Sequence, residues 1–340
     1  MIRKGLHARA ALILMSVLMS VSTSVPTSVL AASAAAQVDP ADFRPDRPVR
    51  VIVSGAPGSG ADIAVRVLAP RMADYAHATM IIENVVGAGG ATGVIAAARS
   101  EADGCTLLFS VSGILLNPLV NAATPYDLFR DLVPVAQVSR STGVLLVNNA
   151  VPAHTLSEFI ALVRAAPGKF DMGNFGFGTS SHLQGAMLAR RIGAEWQTVP
   201  FQSTPPLLRD MMADHICCGI SDIGSAHEFI SNNLLRPLAV SGMARSPVLA
   251  DVPTFAEQGV AGLDQEIWQG LFAPARTPGA VVAFWSSALA AALRDANVIE
   301  VLARSGVEGV GSTPAEFSAF LLDQRDRWHK LVDETGIRIK

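Results

Sequence analysis

Two glycine-rich stretches contain the residues whose types and spacing are best suited to binding a ligand. Residues 55–60 read Gly-Ala-Pro-Gly-Ser-Gly, residues 176–180 read Gly-Phe-Gly-Thr-Ser, and neither stretch contains Lys or Arg. Each stands between an apolar run that predicts a strand and a pattern that predicts a helix. Such turns leave backbone N–H groups free at a helix N-terminus, where the helix dipole adds partial positive charge. The pattern therefore indicates that backbone groups bind a carboxylate.

Phosphate-binding motifs do not fit these turns. A P-loop requires Lys and then Ser or Thr after its last glycine, whereas Gly60 is followed by Ala61 and Asp62. The dinucleotide fingerprint requires a third glycine three residues after Gly60, and this chain lacks it. The charge balance agrees, because 26 Lys and Arg against 29 Asp and Glu give a formal net charge of −3 without a basic stripe. We expect neither a nucleotide cofactor nor a nucleic-acid partner.

Catalytic and metal-binding patterns are weak in this sequence. The nearest approach to the Gly-x-Ser-x-Gly elbow of hydrolases, at residues 219–223, lacks the closing glycine. His182 beside Ser180 or Ser181 leaves a secreted hydrolase or isomerase open as an alternative. The candidate metal ligands match no zinc spacing: His215, Cys217, Cys218 and His227. We predict no catalytic residue, no metal and no other cofactor.

The three cysteines do not indicate a disulfide framework. Cys105 stands alone in an apolar strand pattern, which predicts a small core residue. Cys217 and Cys218 are adjacent, and neighbours on a strand point to opposite faces of the sheet. A disulfide between them would therefore be strained.

The N-terminus has a charge and hydropathy pattern of its own. The first 36 residues contain three basic residues and no acidic one, and residues 10–21 form an apolar run that small residues follow. Without this segment the chain has 23 basic and 29 acidic residues, a net charge of about −6. The layout is that of a cleaved secretory signal peptide. Polar residues from Ser22 onward end the apolar run before it reaches the ~20 residues of a membrane anchor. We expect residues 1–36 to be removed on export.

Short β-branched runs alternate with helical patterns from residue 47 onward, which predicts βαβ units and mostly parallel sheets. The predicted strands are residues 49–54, 80–85, 106–110, 133–139, 143–147, 172–175, 197–201, 216–221 and 236–240. A loop-rich stretch then reaches residue 274, and helices follow at about 280–296 and 314–335. A capping box of Thr313 and Glu316 opens the second of these helices. Because two halves each begin with strand, glycine turn and helix, we predict two lobes with a ligand in the crevice at the carboxyl ends of the strands.

A series of segments in a fixed order covers residues 47–340. The segments are RPVRVIVSGAPGSGADIAVRVLAPRM, IIENVVGAGGATGVIAAARSEADGCTLLF, YDLFRDLVPVAQV, VPAHTLSEFIALVRAAPGKF, Gly-x-Gly-Thr-x-x-His at 176–182, RPLAVSGMARSPVLADVPTFAEQGV, WQGLFAPARTP and STPAEFSAFL. In this order they resemble the Bug-type solute receptors, the periplasmic substrate-binding components of tripartite tricarboxylate transporters.

The resemblance implies an α/β, two-lobed type II periplasmic-binding-protein fold, each lobe a mostly parallel sheet flanked by helices. We expect residues 44–143 plus 243–340 to form lobe 1 and residues 144–242 to form lobe 2. The resemblance also implies a monomeric receptor, not an enzyme, that presents a small carboxylate ligand to membrane permease subunits. A sensory receptor of the same fold, signalling to a membrane kinase, is the open alternative.

The family's ligand-binding positions can be carried over onto matching residues of this chain. The residues that the resemblance implies are Ala56, Pro57, Gly58, Ser59, Gly60, Asp62, Ser112, Gly176, Gly178, Thr179, Ser180, His182, Phe201 and Asp222. Asp62 and His182 are also suited to a purely structural role as helix caps. We expect residues 87–90 to hold a turn rather than a ligand.

Departures from the family pattern bear on the identity of the ligand. The usual first loop has Phe and a Gly-Gly pair where this chain has Gly55 and Gly58-Ser59, and the usual Ser-Ser-Gly-Asn-Gly is Asn-Phe-Gly-Phe-Gly at residues 174–178. Phe175 and Phe177 thus replace small polar residues in the second carboxylate loop. We expect a ligand with one carboxylate and less polarity elsewhere, an aromatic or aliphatic monoacid rather than citrate. Burial of Phe175 under the loop would leave the ligand's polarity open.

Overall fold

The computed structural model describes residues 43–338, so the predicted signal peptide lies outside the described residues. The strands are β1 Val49–Val53, β2 Met80–Asn84, β3 Thr106–Val111, β4 Leu132–Ser141, β5 Gly143–Asn148, β6 Asp171–Asn174, β7 Gln197–Pro200, β8 Cys218–Asp222, β9 Leu235–Val240, β10 Ile267–Pro274 and β11 Val307–Gly309. The helices are α1 Gly60–Ala76, α2 Ala91–Ala98, α3 Gly113–Val120, α4 Leu128–Asp131, α5 Leu156–Ala165, α6 Ser180–Ile192, α7 Thr204–Met212, α8 Ile223–Ser231, α9 Gly279–Ala292, α10 Ala296–Arg304 and α11 Pro314–Thr335.

Within residues 43–338 the strands form two mixed sheets. The first has the order β11-β4-β10-β3-β1-β2, and the second has the order β7-β6-β8-β5-β9. In the first sheet β1 is parallel to β2 and β3, and β10 lies antiparallel between β3 and β4. In the second sheet β6 is parallel to β7 and β8, and β5 lies antiparallel between β8 and β9. Most strands of each sheet therefore run in one direction, and the predicted two-lobed α/β fold is confirmed.

The chain passes between the two sheets at two places. β4 ends at Ser141 and β5 begins at Gly143, so the first crossing takes a single residue. The return runs through residues 241–266 from β9 to β10. We call the first sheet with α1–α4 and α9–α11 the first lobe, and the second sheet with α5–α8 the second lobe. The boundaries of the lobes at residues 143 and 242 stay a prediction.

β10 is a central strand that the sequence pattern did not predict. All eight of its residues are buried, and Gln269 and Gly270 interrupt its apolar run beside a register shift against β4. Glycine inside a strand commonly marks a bulge or a close approach of another group. Here a Cβ on Gly270 would collide with the ring of Phe317, which α11 packs against the strand. The glycine that made this segment resemble a loop is the residue that lets α11 cover it.

The C-terminal helices were predicted with one error. The helix predicted to reach about residue 296 ends at Ala292, and α10 begins at Ala296. Asp295 separates the two because its side chain accepts the backbone N–H groups of Asn297 and Val298, which starts a new helix. The predicted capping box of Thr313 and Glu316 is present at the start of α11. None of the helices in residues 43–338 has both the length and the apolar character needed to span a membrane.

The adjacent cysteines lie closer together than the strand argument predicted. Cys217 lies in a bend just before β8, so the two side chains do not alternate across a strand, and their Sγ atoms are 3.7 Å apart. Both thiols are free and donate to the carbonyl oxygen of Asp171, at 3.3 Å and 3.2 Å. Cys105 is buried at 4% exposure, as predicted.

Candidate functional site

Strands of both lobes end at one small cavity between the two sheets. Its volume is about 70 Å³. From the first lobe it is lined by the segments after β1 and β2, and by Gln269 of β10. From the second lobe it is lined by the segments after β6 and β7, and by Asp222 at the end of β8. None of the described residues that line it is Lys or Arg. This is the crevice at the carboxyl ends of the strands that the sequence predicted for the ligand.

Four helices begin at this inner cavity. Lining residues precede or open α1 (Ser59, Gly60), α2 (Gly90), α6 (Thr179) and α7 (Ser203, Thr204). The first N–H groups of a helix have no partner within the helix. The N-cap residue of α6, Thr179, makes no side-chain cap hydrogen bond, so its side chain does not occupy the N–H groups that follow it. The first turn of α7 offers only the N–H of Thr204, because Pro205 and Pro206 have none. The first two N–H groups of α2 already donate to carbonyl oxygens of the preceding turn. The site concentrates partial positive charge without a basic side chain.

Asp62 holds the first loop from behind. This buried carboxylate accepts the N–H of Gly58 at 2.9 Å, the guanidinium of Arg66 at 2.9 Å and the amide of Asn84 at 2.9 Å. The same Asn84 amide also donates to the carbonyl oxygen of Gly55 at 2.9 Å. Burial alone would raise the pKa of Asp62, but the hydrogen bonds from Arg66, Gly58 and Asn84 outweigh it and hold the pKa below its ordinary value. Asp62 is therefore an anion that fixes the loop of residues 55–60.

The second loop is held by side chains of its own lobe. Asn174 accepts the N–H of Gly176 at 2.9 Å, and Ser181 accepts the N–H of Phe175 at 3.1 Å. The hydroxyl of Thr179 donates to the carbonyl oxygen of Gly176 at 2.6 Å. Because this hydroxyl closes the turn instead of capping α6, the N-terminus of α6 keeps its N–H groups for another acceptor.

His182 supports the same loop as a neutral group. Its Nδ1 accepts the N–H of Gly178 at 3.4 Å, and its ring meets Phe177 edge to face at 5.1 Å between centroids. Burial lowers the pKa of His182 to about 4, so the imidazole is neutral near pH 7. The Oγ of Ser180 has no hydrogen-bond partner, and that of Ser181 is engaged by Phe175 and Thr179. The Ser-His pair of the hydrolase alternative is thus not formed by these serines.

The two lobes meet closely at Gly60 and Asp222. A Cβ on Gly60 would lie 2.7 Å from Oδ1 of Asp222. Asp222 is fixed in place, because Oδ1 accepts the N–H of Ser225 at 2.8 Å and Oδ2 accepts the hydroxyl of Thr204 at 3.1 Å. The N-terminus of α1 in the first lobe therefore faces a carboxylate that caps α8 in the second lobe.

A second cavity of about 510 Å³ adjoins the first, and we call it the outer cavity. Both cavities are lined by Gly87, Gly89 and Gln202. Phe177 and Phe201 contribute aromatic side chains to the outer cavity, and Phe177 is 43% exposed. No acidic or basic residue of the described chain lines it.

The predicted site residues fall into three groups. Those at the inner cavity are Ser59, Gly60, Thr179 and Asp222. Those at the outer cavity are Gly176 and Phe201. Those that line neither cavity are Ala56, Pro57, Gly58, Asp62, Ser112, Gly178, Ser180 and His182. Phe175 lines the inner cavity rather than lying wholly under the loop. For every one of these residues, contact with a ligand stays a prediction.

Three parts of the site were absent from the prediction. Residues 87–90 were expected only to hold a turn, yet Gly87, Gly89 and Gly90 line the inner cavity. Residues 202–204 were overlooked although Ser and Thr before Pro205 mark a helix start after a strand. Gln269 was missed with β10, and its Oε1 accepts the hydroxyl of Ser139 at 2.9 Å, which orients the amide.

A larger cavity of about 680 Å³ shares Ser141 with the inner cavity but is lined by no residue of 55–60 or 176–180. It is lined by residues near the crossings between the sheets and by α10 and β11. Its basic residues are already paired, Arg140 with Glu308 at 2.7 Å and Arg245 with Glu257 at 2.9 Å. It contains none of the predicted site residues. In the part of the chain that the structure describes, no cluster of three or more His, Cys, Asp or Glu is placed to hold a metal ion.

Known proteins of similar sequence and fold identify the family of this chain. Residues 64–337 match the model of the tripartite tricarboxylate transporter family receptor. Protein BugT of Bordetella pertussis is 32% identical over 315 residues, which cover 91% of this chain and 95% of BugT. A solved structure of Rpa4515 of R. palustris with adipate has a TM-score of 0.84 at 28% identity and covers 86% of this chain and 99% of that one. The structure of MatC from Rhodopseudomonas palustris with bound malate has a TM-score of 0.81 at 28% identity, covering 85% and 99%. This chain therefore belongs to the tripartite tricarboxylate transporter receptor family, as a Bug-type solute-binding receptor.

Proposed function

We propose that this protein is a periplasmic receptor that captures a small carboxylate between its two lobes and presents it to the membrane subunits of a tripartite tricarboxylate-type permease. The observation that carries the proposal is the inner cavity, where four helices begin and no basic residue lines the wall. The relatives Rpa4515 and MatC, whose structures contain adipate and malate, support a carboxylate as the ligand.

Capture follows from contacts that both lobes make with the same ligand. A carboxylate that accepts N–H groups from α1 in the first lobe and from α6 or Thr204 in the second lobe binds the closed form better than the open form, so it shifts the population towards closure. Hydrogen bonds to a charged group contribute roughly 1.5–3 kcal/mol each. Four or five of them can offset the loss of ligand freedom, which is about 4–15 kcal/mol. The closed form is the state that the permease would recognise.

Export and partners are part of the same proposal. The N-terminal pattern of residues 1–36 supports removal of a signal peptide and a periplasmic location. We infer that the protein is a monomer. We also infer that it serves transport rather than catalysis, since its relatives are solute-binding receptors.

A thermal-shift screen of mono-, di- and tricarboxylates tests the proposal. We expect at least one acid to raise the melting temperature, and the Thr179→Ala variant to lose about two- to tenfold in affinity for it, because the turn that presents α6 loosens. Thr179→Ser, which keeps the hydroxyl, is the matched control and should retain most of the affinity. A screen in which no carboxylate stabilises the protein would sink the proposal. Strongest stabilisation by citrate would contradict the expected monoacid.

A further inference from the structure

We propose that Cys217 and Cys218 form a chelating site for trivalent arsenic, in which both sulfurs bond to one arsenic atom. The pair lies where β8 begins, beside the start of β6, whereas the inner cavity lies at the carboxyl ends of the same strands. The arsenic site is therefore separate from the proposed carboxylate site and does not depend on the proposed function.

Both thiols point at one acceptor, which brings their sulfurs together. The Sγ atoms of Cys217 and Cys218 lie 3.3 Å and 3.2 Å from the carbonyl oxygen of Asp171, and 3.7 Å from each other. The backbone N–H of Asp171 also donates to Sγ of Cys217 at 3.3 Å. The two side chains do not alternate across a strand, because Cys217 precedes β8. A small reagent bound to one sulfur therefore has the second sulfur beside it.

The pair is better suited to holding a bridging atom than to forming a disulfide. Consecutive Cα atoms across a trans peptide are about 3.8 Å apart, whereas the Cα atoms of a disulfide are usually about 4.4–6.8 Å apart. The sulfurs would also have to approach from 3.7 Å to a bond length of about 2.05 Å. Both thiols are free in this structure. One atom inserted between the sulfurs removes both demands.

The distance between the sulfurs indicates the geometry of the bridging atom. An ion with two sulfurs in line holds them two bond lengths apart, about 4.6 Å for bonds as long as zinc–thiolate bonds of roughly 2.3 Å. At bond angles of about 90–110° the same bonds hold the sulfurs about 3.3–3.8 Å apart. The 3.7 Å of this pair falls in that range.

The number of ligands then separates arsenic from zinc. Zinc sites take at least three protein ligands. Among the residues that the structure describes, no third His, Cys, Asp or Glu joins the two cysteines in a metal-binding group. Trivalent arsenic is pyramidal, because it keeps a lone pair, and two thiolates with one hydroxyl complete its bonding. A two-sulfur site with a bent geometry therefore fits arsenic.

The reaction exchanges bonds without an oxidant or a reductant. Arsenous acid carries three hydroxyls, two of which leave as water with the protons of the two thiols while two As–S bonds form. The contact with Cys218 lowers the pKa of the Cys217 thiol, which favours its nucleophilic thiolate. Cys217 is partly exposed and Cys218 is fully buried, so attack begins at Cys217 and closes at Cys218. The hydroxyl left on arsenic can donate to the carbonyl oxygen of Asp171, which the thiols have released.

Native mass spectrometry of the folded protein with arsenite tests the inference. We expect one arsenic atom per chain in the wild type. Cys217→Ser and Cys218→Ser should each weaken binding about a hundredfold or more, because a single sulfur lacks the gain from a second, tethered one. Cys105→Ser, which removes the third free cysteine, is the matched control and should bind like the wild type. In the wild type, arsenite should also protect Cys217 from alkylation by iodoacetamide, a measurement that needs no variant.

Three results overturn the inference. The first is a folded wild type that takes up no arsenic and whose Cys217 is not protected. The second is arsenic that binds only after denaturant is added, which would place the chelate in the unfolded chain. The third is equal affinity in the wild type and in a Cys218→Ser variant with unchanged circular dichroism. Each of these leaves the proposed capture of a carboxylate standing, since the thermal-shift screen measures that separately.

Discussion

At the scale of single residues, two ionisable side chains near the site position the backbone of the glycine loops. Asp62 and His182 each accept N–H groups from the glycine loop of their own lobe, and neither lines the inner or the outer cavity. The sequence suggested both roles for them, ligand contact or helix cap. Their hydrogen bonds hold the loops in place, so the N–H groups at the cavity need no reorganisation when an anion binds.

The neutral state of His182 makes a pH-dependent contribution to stability. Its pKa is lowered from 6.5 to about 4 in the folded protein. Above pH 6.5 the imidazole is neutral in both folded and unfolded chains. As the pH falls from 6.5 to about 4 the unfolded chain binds the proton more strongly, so the free energy of unfolding decreases, and the loss is complete below the folded value.

Denaturant unfolding of wild type and His182→Asn between pH 7 and pH 4 checks this. Asn keeps an acceptor near the position of Nδ1 but does not titrate. We expect the wild type to lose more stability than the variant on acidification, with the divergence beginning near pH 6.5. Parallel curves for the two proteins would show that His182 is not held neutral by the fold.

At the scale of elements, the site depends on strands that deliver helices to one crevice and on β10, which closes the first sheet. The ring of Phe317 in α11 packs against Trp268 at 5.8 Å and Phe272 at 5.2 Å between centroids, and all three side chains are fully buried. The same strand places Gln269 at the inner cavity. The packing of α11 therefore secures both the sheet and one wall of the site.

Truncation of Phe317 tests this role of α11. Phe317→Ala should lower the free energy of unfolding by about 3–5 kcal/mol, because a large buried ring is replaced by a cavity. Leu322→Ala, on the same helix but 43% exposed, should change it by less than about 0.5 kcal/mol. Chemical denaturation of the two variants measures the difference. Equal effects would mean that α11 contributes little to the core.

The elements differ in how far the sequence predicted them. Strands that precede glycine turns, such as β1 and β6, were found because an apolar run and a Gly-rich turn stand side by side. β10 was missed because Gly270 and Pro274 gave it the composition of a loop, and the glycine is explained by the rings of Phe317 and Phe272 packed against it. Residues 202–204, which line the inner cavity, had a helix-start signal in the sequence that could have been used. The contact between Gly60 and Asp222 had no such signal, because a local sequence pattern does not show which residues of the two lobes pack against each other.

At the scale of the whole molecule, capture of a ligand between the lobes requires a close approach at Gly60, with almost no side chain between them. Gly60 is the first residue of α1, and a Cβ there would lie 2.7 Å from Oδ1 of Asp222 and 3.6 Å from Nε2 of Gln269. Gly279 is the first residue of α9 and would meet no atom within 4 Å. The two glycines are thus matched in helix position and differ in whether another lobe lies opposite.

The most direct measurement is a calorimetric titration of the best carboxylic acid, and of its primary amide, into wild type, Gly60→Ala and Gly279→Ala. We expect the acid to bind the wild type and the amide not to bind, because the helix N-termini select an anion. We also expect Gly60→Ala to weaken the acid about tenfold through its clash with Asp222, whereas Gly279→Ala binds like the wild type. Equal binding of acid and amide, or an unchanged affinity in Gly60→Ala, would contradict capture of a carboxylate between the two lobes.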